Sequence, residues 1–309
     1  MPRNSSWSRR RRRGGAQGAA WLSPDDTRVL DDLIRFLATS APFFQSGIGS
    51  SNFPPCDMPC LRVATVSGNW YDLAHKASSL ADLLHAPSAS TSNDVILLLT
   101  GGRAERLTLP DATVVGGEPL LLQEYMHKAF GVAKARMVLY SGSRITNHNL
   151  MAMLHFAKQT LAFERRKVAL EVVEEAFLVR RAAAAMRSIL DADPEAKKAL
   201  SSVRFRPAGP LTFDELVAVH GGHADVAFAL VLGEVRRLRL YSSHAKGRSG
   251  GGSSVDKLLL PAEASILPSR TLDAEVDRLW QVHRTGLYAS GSALLANRTL
   301  LTSRGAAPR

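Results

Sequence analysis

Three short polar segments, each directly after an apolar run of strand length, hold the residue types most suited to chemistry in this 309-residue chain. The run 61–66 leads into Ser67-Gly68-Asn69, and 95–99 leads into Thr100-Gly101-Gly102-Arg103. The run 137–140 leads into Ser141-Gly142-Ser143, with Thr146, Asn147 and Asn149 at the start of a helix. Glycines let backbone approach a ligand closely. N–H groups near a helix start suit a phosphate, a carboxylate or a ribose hydroxyl. Arg103 adds a cation beside a glycine pair, an arrangement that could seat an anion. A nucleophile is harder to find. Ser141-Gly142-Ser143 is not the G-x-S-x-G elbow, and GGRAER is neither G-x-G-x-x-G nor a P-loop. His148 is the base candidate closest in sequence to Ser143, and a histidine there would make any activity depend on pH near neutrality.

Further along, Glu174 and Glu175 follow a strand and precede Arg180 and Arg181. They could grip a ribose and a phosphate, or they could be a solvated helix start whose acids the dipole favours. Arg236, Arg237 and Arg239 after Glu234 read as a solvated helix end, with Arg237 able to close over an anion. His220 and His223 flank Gly221-Gly222 with no carboxylate or thiol set nearby, so a helix break is expected there and not a metal site. Cys56 and Cys60, the only cysteines, could close a short disulfide loop or supply half of a zinc site. With no second pair to complete the zinc set, two reduced thiols are expected.

For the three loops to act together, the elements beneath them must bring them to one edge. From Leu61 onward, strands and helices alternate as in a parallel sheet with crossover helices. Strands are expected near 61–66, 94–100, 111–115, 136–140, 167–173 and 202–206, with 111–115 an edge strand or no strand. Helices are expected over 70–86, 118–130, 147–163 and 177–191. Ser23 as N-cap, Pro24 and the acids Asp25 and Asp26 open a further amphipathic helix over 24–38. Thr212 and Glu215 form a capping box for helices over 213–240, broken near Gly221-Gly222. Leu272–Val282 reads as a last helix. The expected fold is α/β, a Rossmann-like three-layer sandwich with a mostly parallel sheet, an N-terminal helix and a C-terminal helical extension. The chain divides into a basic tail (1–20), helix and connection (21–60), α/β domain (61–245), glycine-rich loop with helical extension (246–297) and tail (298–309). Ligands in open sheets of this kind bind beyond the carboxyl ends of the strands.

The bulk composition, 45 % hydrophobic and 22 % charged, is that of a globular domain large enough to fold without staples. The net charge of +11 suggests nucleic acid, but six of the positive charges are Arg3 and Arg9 to Arg13, ahead of the first acid. Only 6 % of residues are aromatic, too few to interleave with arginines as base-stacking surfaces do. Specific nucleic-acid binding is therefore not expected. The tail could bind nucleic acid weakly and non-specifically, with steep salt dependence. No run of 18 apolar residues suggests a membrane span, and no apolar core follows the basic start as in a secretory signal. A cytoplasmic protein is expected, with the tail as a possible mitochondrial or nuclear address.

The order of motifs resembles the YdcF-like family of bacterial envelope and cytoplasmic proteins, relatives of SanA and ElyC. The likeness covers roughly 61–263. It rests on Ser67-Gly68-Asn69, on Thr100-Gly101-Gly102, on Gly117-Glu118 opening a helix, and on Tyr140-x-x-Ser143-x-Ile145-Thr146-x-His148-Asn149. Arg180-Arg181-Ala182 and the stretch Gly233-Glu234-Val235-Arg236-Arg237-Leu238-Arg239 continue it. Three polar family positions are Tyr140, Ile145 and His148 here, so two carboxylates and one amide of the most distinctive motif are replaced. The resemblance implies a Rossmann-like fold and an adenosyl or nucleotide-like ligand such as S-adenosylmethionine. That ligand would be held by Gly68, Asn69, Gly101, Gly102, Glu118, Ser143, Thr146, Asn149, Arg181 and Arg237. If the protein is an enzyme, group transfer is implied over hydrolysis. The alternative is a non-catalytic regulatory or scaffold protein that keeps the fold with a degenerate site.

Overall fold

The computed structural model describes residues 22–41, 43–46, 60–67, 73–85, 95–102, 107–108, 114–115, 117–143, 146–242 and 259–283. The expected positions Gly68, Asn69 and Arg103, the arginine tail, the loop 247–254 and the tail 298–309 lie outside the described residues. The alternation of apolar runs and amphipathic segments builds an α/β fold. Its strands are β1 (Gln45–Ser46), β2 (Cys60–Ser67), β3 (Val95–Thr100), β4 (Leu107–Thr108), β5 (Val114–Val115), β6 (Met137–Tyr140), β7 (Lys167–Glu175) and β8 (Leu200–Ala208). The helices are α1 (Pro24–Leu37), α2 (Leu73–His85), α3 (Glu118–Phe130), α4 (Thr146–Glu164), α5 (Val179–Ala192), α6 (Pro194–Ala199), α7 (Phe213–Val219), α8 (Ala224–Ser242) and α9 (270–283).

The main sheet runs in the order β1-β8-β7-β2-β3-β6, and every pairing in it is parallel. Its central strands β2, β3 and β7 are almost wholly buried. Their near-continuous apolar sequence follows from that, since helices cover both faces of a parallel sheet. From β2 the chain winds outward through β3 to β6, then crosses back along α4 to β7 on the other side of β2. Strand order therefore reverses between β2 and β7, the position where ligands bind in such sheets.

One face carries α2 and α3, which pack Leu80, Leu84, Leu122 and Met126 against Ala64, Val66, Leu97 and Leu99. The other face carries α1, α4, α5, α7, α8 and α9 around a larger core that includes Leu33, Leu37, Met153, Val172, Phe205, Phe228 and Leu279. The N-terminal helix and the C-terminal extension thus share one core with the α/β domain. Arg180 clips them together. Its guanidinium donates to the carbonyls of Ala41, Glu263 and Ala264 at 2.7–2.8 Å and lies 4.0 Å from the Phe36 ring centroid. Burial lowers its pKa to about 10.

Local signals account for the helix ends. The capping boxes Ser23/Asp26 and Thr212/Glu215 are both formed. The expected break between α7 and α8 is made by Gly221 and Gly222, both at positive φ, +66° and +83°, where a side chain would be strained. Four expectations need correction. Within 111–115, Val114–Val115 form a two-residue strand in a small antiparallel ribbon with β4, separate from the main sheet, and 111–113 lie outside the described residues. The connection 40–60 contributes β1, which extends the sheet beside β8. The helix expected from 177 begins as a 3₁₀ turn over Ala176–Leu178. Cys60 is disulfide-bonded and not a reduced thiol; Cys56 is the chain's other cysteine.

Candidate functional site

The carboxyl ends of β7, β2, β3 and β6 line one edge of the sheet, with the reversal of strand order between β7 and β2, and the polar side chains near that edge are mostly buried. Ser143, Asn149, Thr65, Thr100, Lys76, Glu174, Glu175 and Glu234 are all at least nine-tenths buried. A domain buries such groups only when they are paired or hydrogen-bonded, or when the site uses them.

The Gly101-Gly102 loop is built differently from the expectation. Gly101 N–H donates to the Tyr140 carbonyl at 3.0 Å. Gly102 N–H donates to the Glu118 carboxylate at 2.9 Å. Both donors are therefore used within the fold, and the anion seat expected at this loop is filled by Glu118. Gly101 is required for a second reason. A Cβ there would stand 2.8 Å from Glu118 Oε2 and 3.1 Å from Pro119 Cδ. Ser143 N–H closes the loop onto the Gly101 carbonyl at 3.1 Å.

Beside this loop, on the α4 face, a second group forms. Arg181, near the start of α5, donates through Nε to Glu234 of α8 and through Nη1 to Thr146 Oγ1 at 3.3 Å, at the first turn of α4. Arg237, one turn along α8, donates to the other oxygen of Glu234 at 3.0 Å. Burial opposes the Arg181 charge, but Glu234 and then Glu174 outweigh it and hold its pKa above the ordinary value. Of the ten residues expected to hold a ligand, the structure brings Ser143, Thr146, Asn149, Arg181 and Arg237 toward this edge. It ties Gly101, Gly102 and Glu118 to one another. Gly68 and Asn69 lie outside the described residues.

Glu174 and Glu175 are not a solvated helix start. They face Lys76 of α2, whose Nζ lies 3.5 Å and 3.4 Å from them. Lys76 is fully buried and was missed in the sequence. The signal was present, because position 76 falls in the apolar stripe that continues through Ala77, Leu80, Ala81 and Leu84. Glu234 sits likewise in the buried stripe Ala227, Val231, Val235 and Leu238. Charged residues at such positions are candidates for buried ion pairs. On the α2 face, Glu171 of β7 accepts from Arg204 at 2.6 Å and from Arg206 at 2.9 Å. Burial raises its pKa despite Arg206 and Arg204.

The basic run on α8 is not a free helix end. Arg236 stacks 4.8 Å over the Trp280 ring, and Arg239 pairs with Asp273 and Asp277 of α9. Thr65 Oγ1, Ser143 Oγ and Asn149 Oδ1 are buried with no hydrogen-bond partner among the described residues, as is Ser242 Oγ at the end of α8. Each such atom costs about 1–3 kcal/mol unless a partner satisfies it. Among the described residues, no three metal-ligating side chains come together. No single described helix is long and apolar enough to cross a membrane. No protein-family model matches the chain, and no curated protein matches it.

Proposed function

We propose that the chain binds a small adenosyl or nucleotide-like molecule, such as S-adenosylmethionine, at the carboxyl ends of the sheet strands, near the reversal of strand order between β2 and β7. The observation that carries the reading is the set of orphaned polar atoms Thr65 Oγ1, Ser143 Oγ and Asn149 Oδ1 at that edge. Hydroxyls and an amide oxygen without partners among the described residues suit a ligand rich in hydroxyl and ring-nitrogen groups, and satisfying them favours binding. Arg181 at the first turn of α4 adds a cation for a carboxylate or phosphate. If catalysis occurs, group transfer from the bound molecule fits better than hydrolysis, because Ser141-Gly142-Ser143 is not the G-x-S-x-G elbow of a hydrolase. A second reading, a non-catalytic regulatory or scaffold protein, is favoured by the Gly101-Gly102 loop, whose donors Glu118 and Tyr140 already occupy.

The test is the thermal stability of the full chain against S-adenosylmethionine, S-adenosylhomocysteine and common nucleotides. A ligand at 100 times its Kd stabilises by about 2.7 kcal/mol, a shift of a few degrees at this chain length. A saturable shift that Asn149→Leu abolishes would support the ligand-binding reading. A well-folded protein that responds to none of them would leave the scaffold reading standing.

A further inference from the structure

We propose that Arg181 and Arg237, braced by Glu234, form a clamp for one singly charged anionic group, a carboxylate or a phosphodiester, at the first turn of α4. The inference rests on the ligand-binding reading above and names the group that the site grips. Glu234 is fully buried and takes one guanidinium on each oxygen, Arg181 on Oε1 and Arg237 on Oε2. Two cations on one carboxylate leave an excess positive charge, with Arg181 held in place and Arg237 able to move. The bracing spends Nε of Arg181, and Thr146 takes Nη1. Nη2 of Arg181 makes no hydrogen bond among the described residues, and neither do Nε and Nη2 of Arg237. The Arg181 side chain is 16 % exposed and that of Arg237 is 50 % exposed, so the clamp has an inner and an outer jaw.

Two further features point to an occupant. Thr146 begins a 19-residue helix, whose first-turn N–H groups add roughly half a positive charge at the same place. Ser143 and Asn149 flank that turn, and their side chains carry the orphaned atoms Ser143 Oγ and Asn149 Oδ1. A hydroxyl can donate to an anion, and an Asn amide can turn its N–H₂ toward one. A purely structural Arg–Glu–Arg triad would explain the charges but not the unpaired groups beside them, which interiors rarely tolerate. Two guanidinium groups on the one Glu234 carboxylate leave one excess positive charge, which matches a monoanion.

The experiment measures binding to the full chain by calorimetry, with acetate, S-adenosylhomocysteine and adenosine as probes, in wild type, Arg237→Ala and Arg181→Lys. Circular dichroism checks each variant's fold, and Arg237→Ala, at a half-exposed position, keeps the test open if Arg181→Lys fails to fold. Each variant should weaken acetate and S-adenosylhomocysteine about tenfold, the loss of one charge-assisted hydrogen bond, and leave adenosine unchanged. Acetate binding that depends on Arg237, with no adenosyl compound bound, would support the clamp and sink the adenosyl reading. Adenosine and S-adenosylhomocysteine binding equally, unaffected by either variant, would overturn the clamp and keep the adenosyl reading. No binding of any probe would overturn both.

Discussion

Replacing Glu234 by methionine tests whether its two arginines form a coupled buried unit. Glu234 is fully buried between Arg181, largely buried, and Arg237, half exposed. Charges about 4 Å apart attract by about 4 kcal/mol at an effective dielectric constant of about 20. Desolvation cancels part of that in the wild type, but the variant strands Arg181 without a counter-charge, a change that typically costs about 3–5 kcal/mol. Arg237 can turn to water, and its exposed pairing contributes about 0–1 kcal/mol. The expected loss for Glu234→Met is therefore about 3–4 kcal/mol. Arg181→Met alone should cost less, about 1–3 kcal/mol, because Arg237 still meets Glu234 at 3.0 Å and moderates the buried carboxylate's penalty. The double variant removes both buried charges at similar volume and should lie within about 1 kcal/mol of wild type. Urea unfolding of the four proteins at constant m value gives the cycle. A coupling energy above about 2 kcal/mol is expected. Additive single losses, or a Glu234→Met loss below about 1 kcal/mol, would refute the reasoning.

Two other predictions concern pH and packing. Burial, and then His223, hold the His220 imidazole at about 4 against an ordinary 6.5. The unfolded chain therefore takes up the proton first, and stability should fall by about 3 kcal/mol as pH drops from about 6.5 to about 4. Glu171 acts in the opposite sense, because a raised carboxylate pKa favours the folded state as pH falls. The difference between wild type and His220→Gln isolates the histidine, and parallel curves in urea unfolding from pH 4 to 7 would sink the assignment. Gly101→Ala would place a methyl 2.8 Å from Glu118 Oε2 and 3.0 Å from Glu118 Cβ. A loss of about 1–3 kcal/mol in the urea midpoint is expected, and an unchanged midpoint would show that the loop yields freely.

Much of the architecture was legible because it is written locally. The strands β2, β3, β6, β7 and β8 fall on the apolar runs read from the sequence, and α3 begins and ends at the expected residues. Ser23 and Thr212 announced their helices because a cap is satisfied by N–H groups three residues away. The two-residue β1 was not legible, since so short a strand has no period and exists only because β8 offers it an edge. The ribbon of β4 and β5 was misread for the same reason.

The candidate site divides along the same line. Residue types and spacing were enough to point to the polar loops after the strands, and hence to Ser143, Thr146 and Asn149, while Arg181 was singled out with Glu174 and Glu175 and by the family resemblance. Which of their groups remain available was decided elsewhere in the chain. Glu118 fills the Gly102 donor, Lys76 buries Glu174 and Glu175, and Glu234 braces Arg181 and Arg237. Periodicity and capping reach no further than about one helical turn, so sequence alone determined the elements and their polar ends. Burial and charge pairing depend on which distant segment arrives opposite. Only the tertiary structure decided that a lysine on α2 and a glutamate on α8, each in an apolar stripe, would set the electrostatics of the β2–β7 edge.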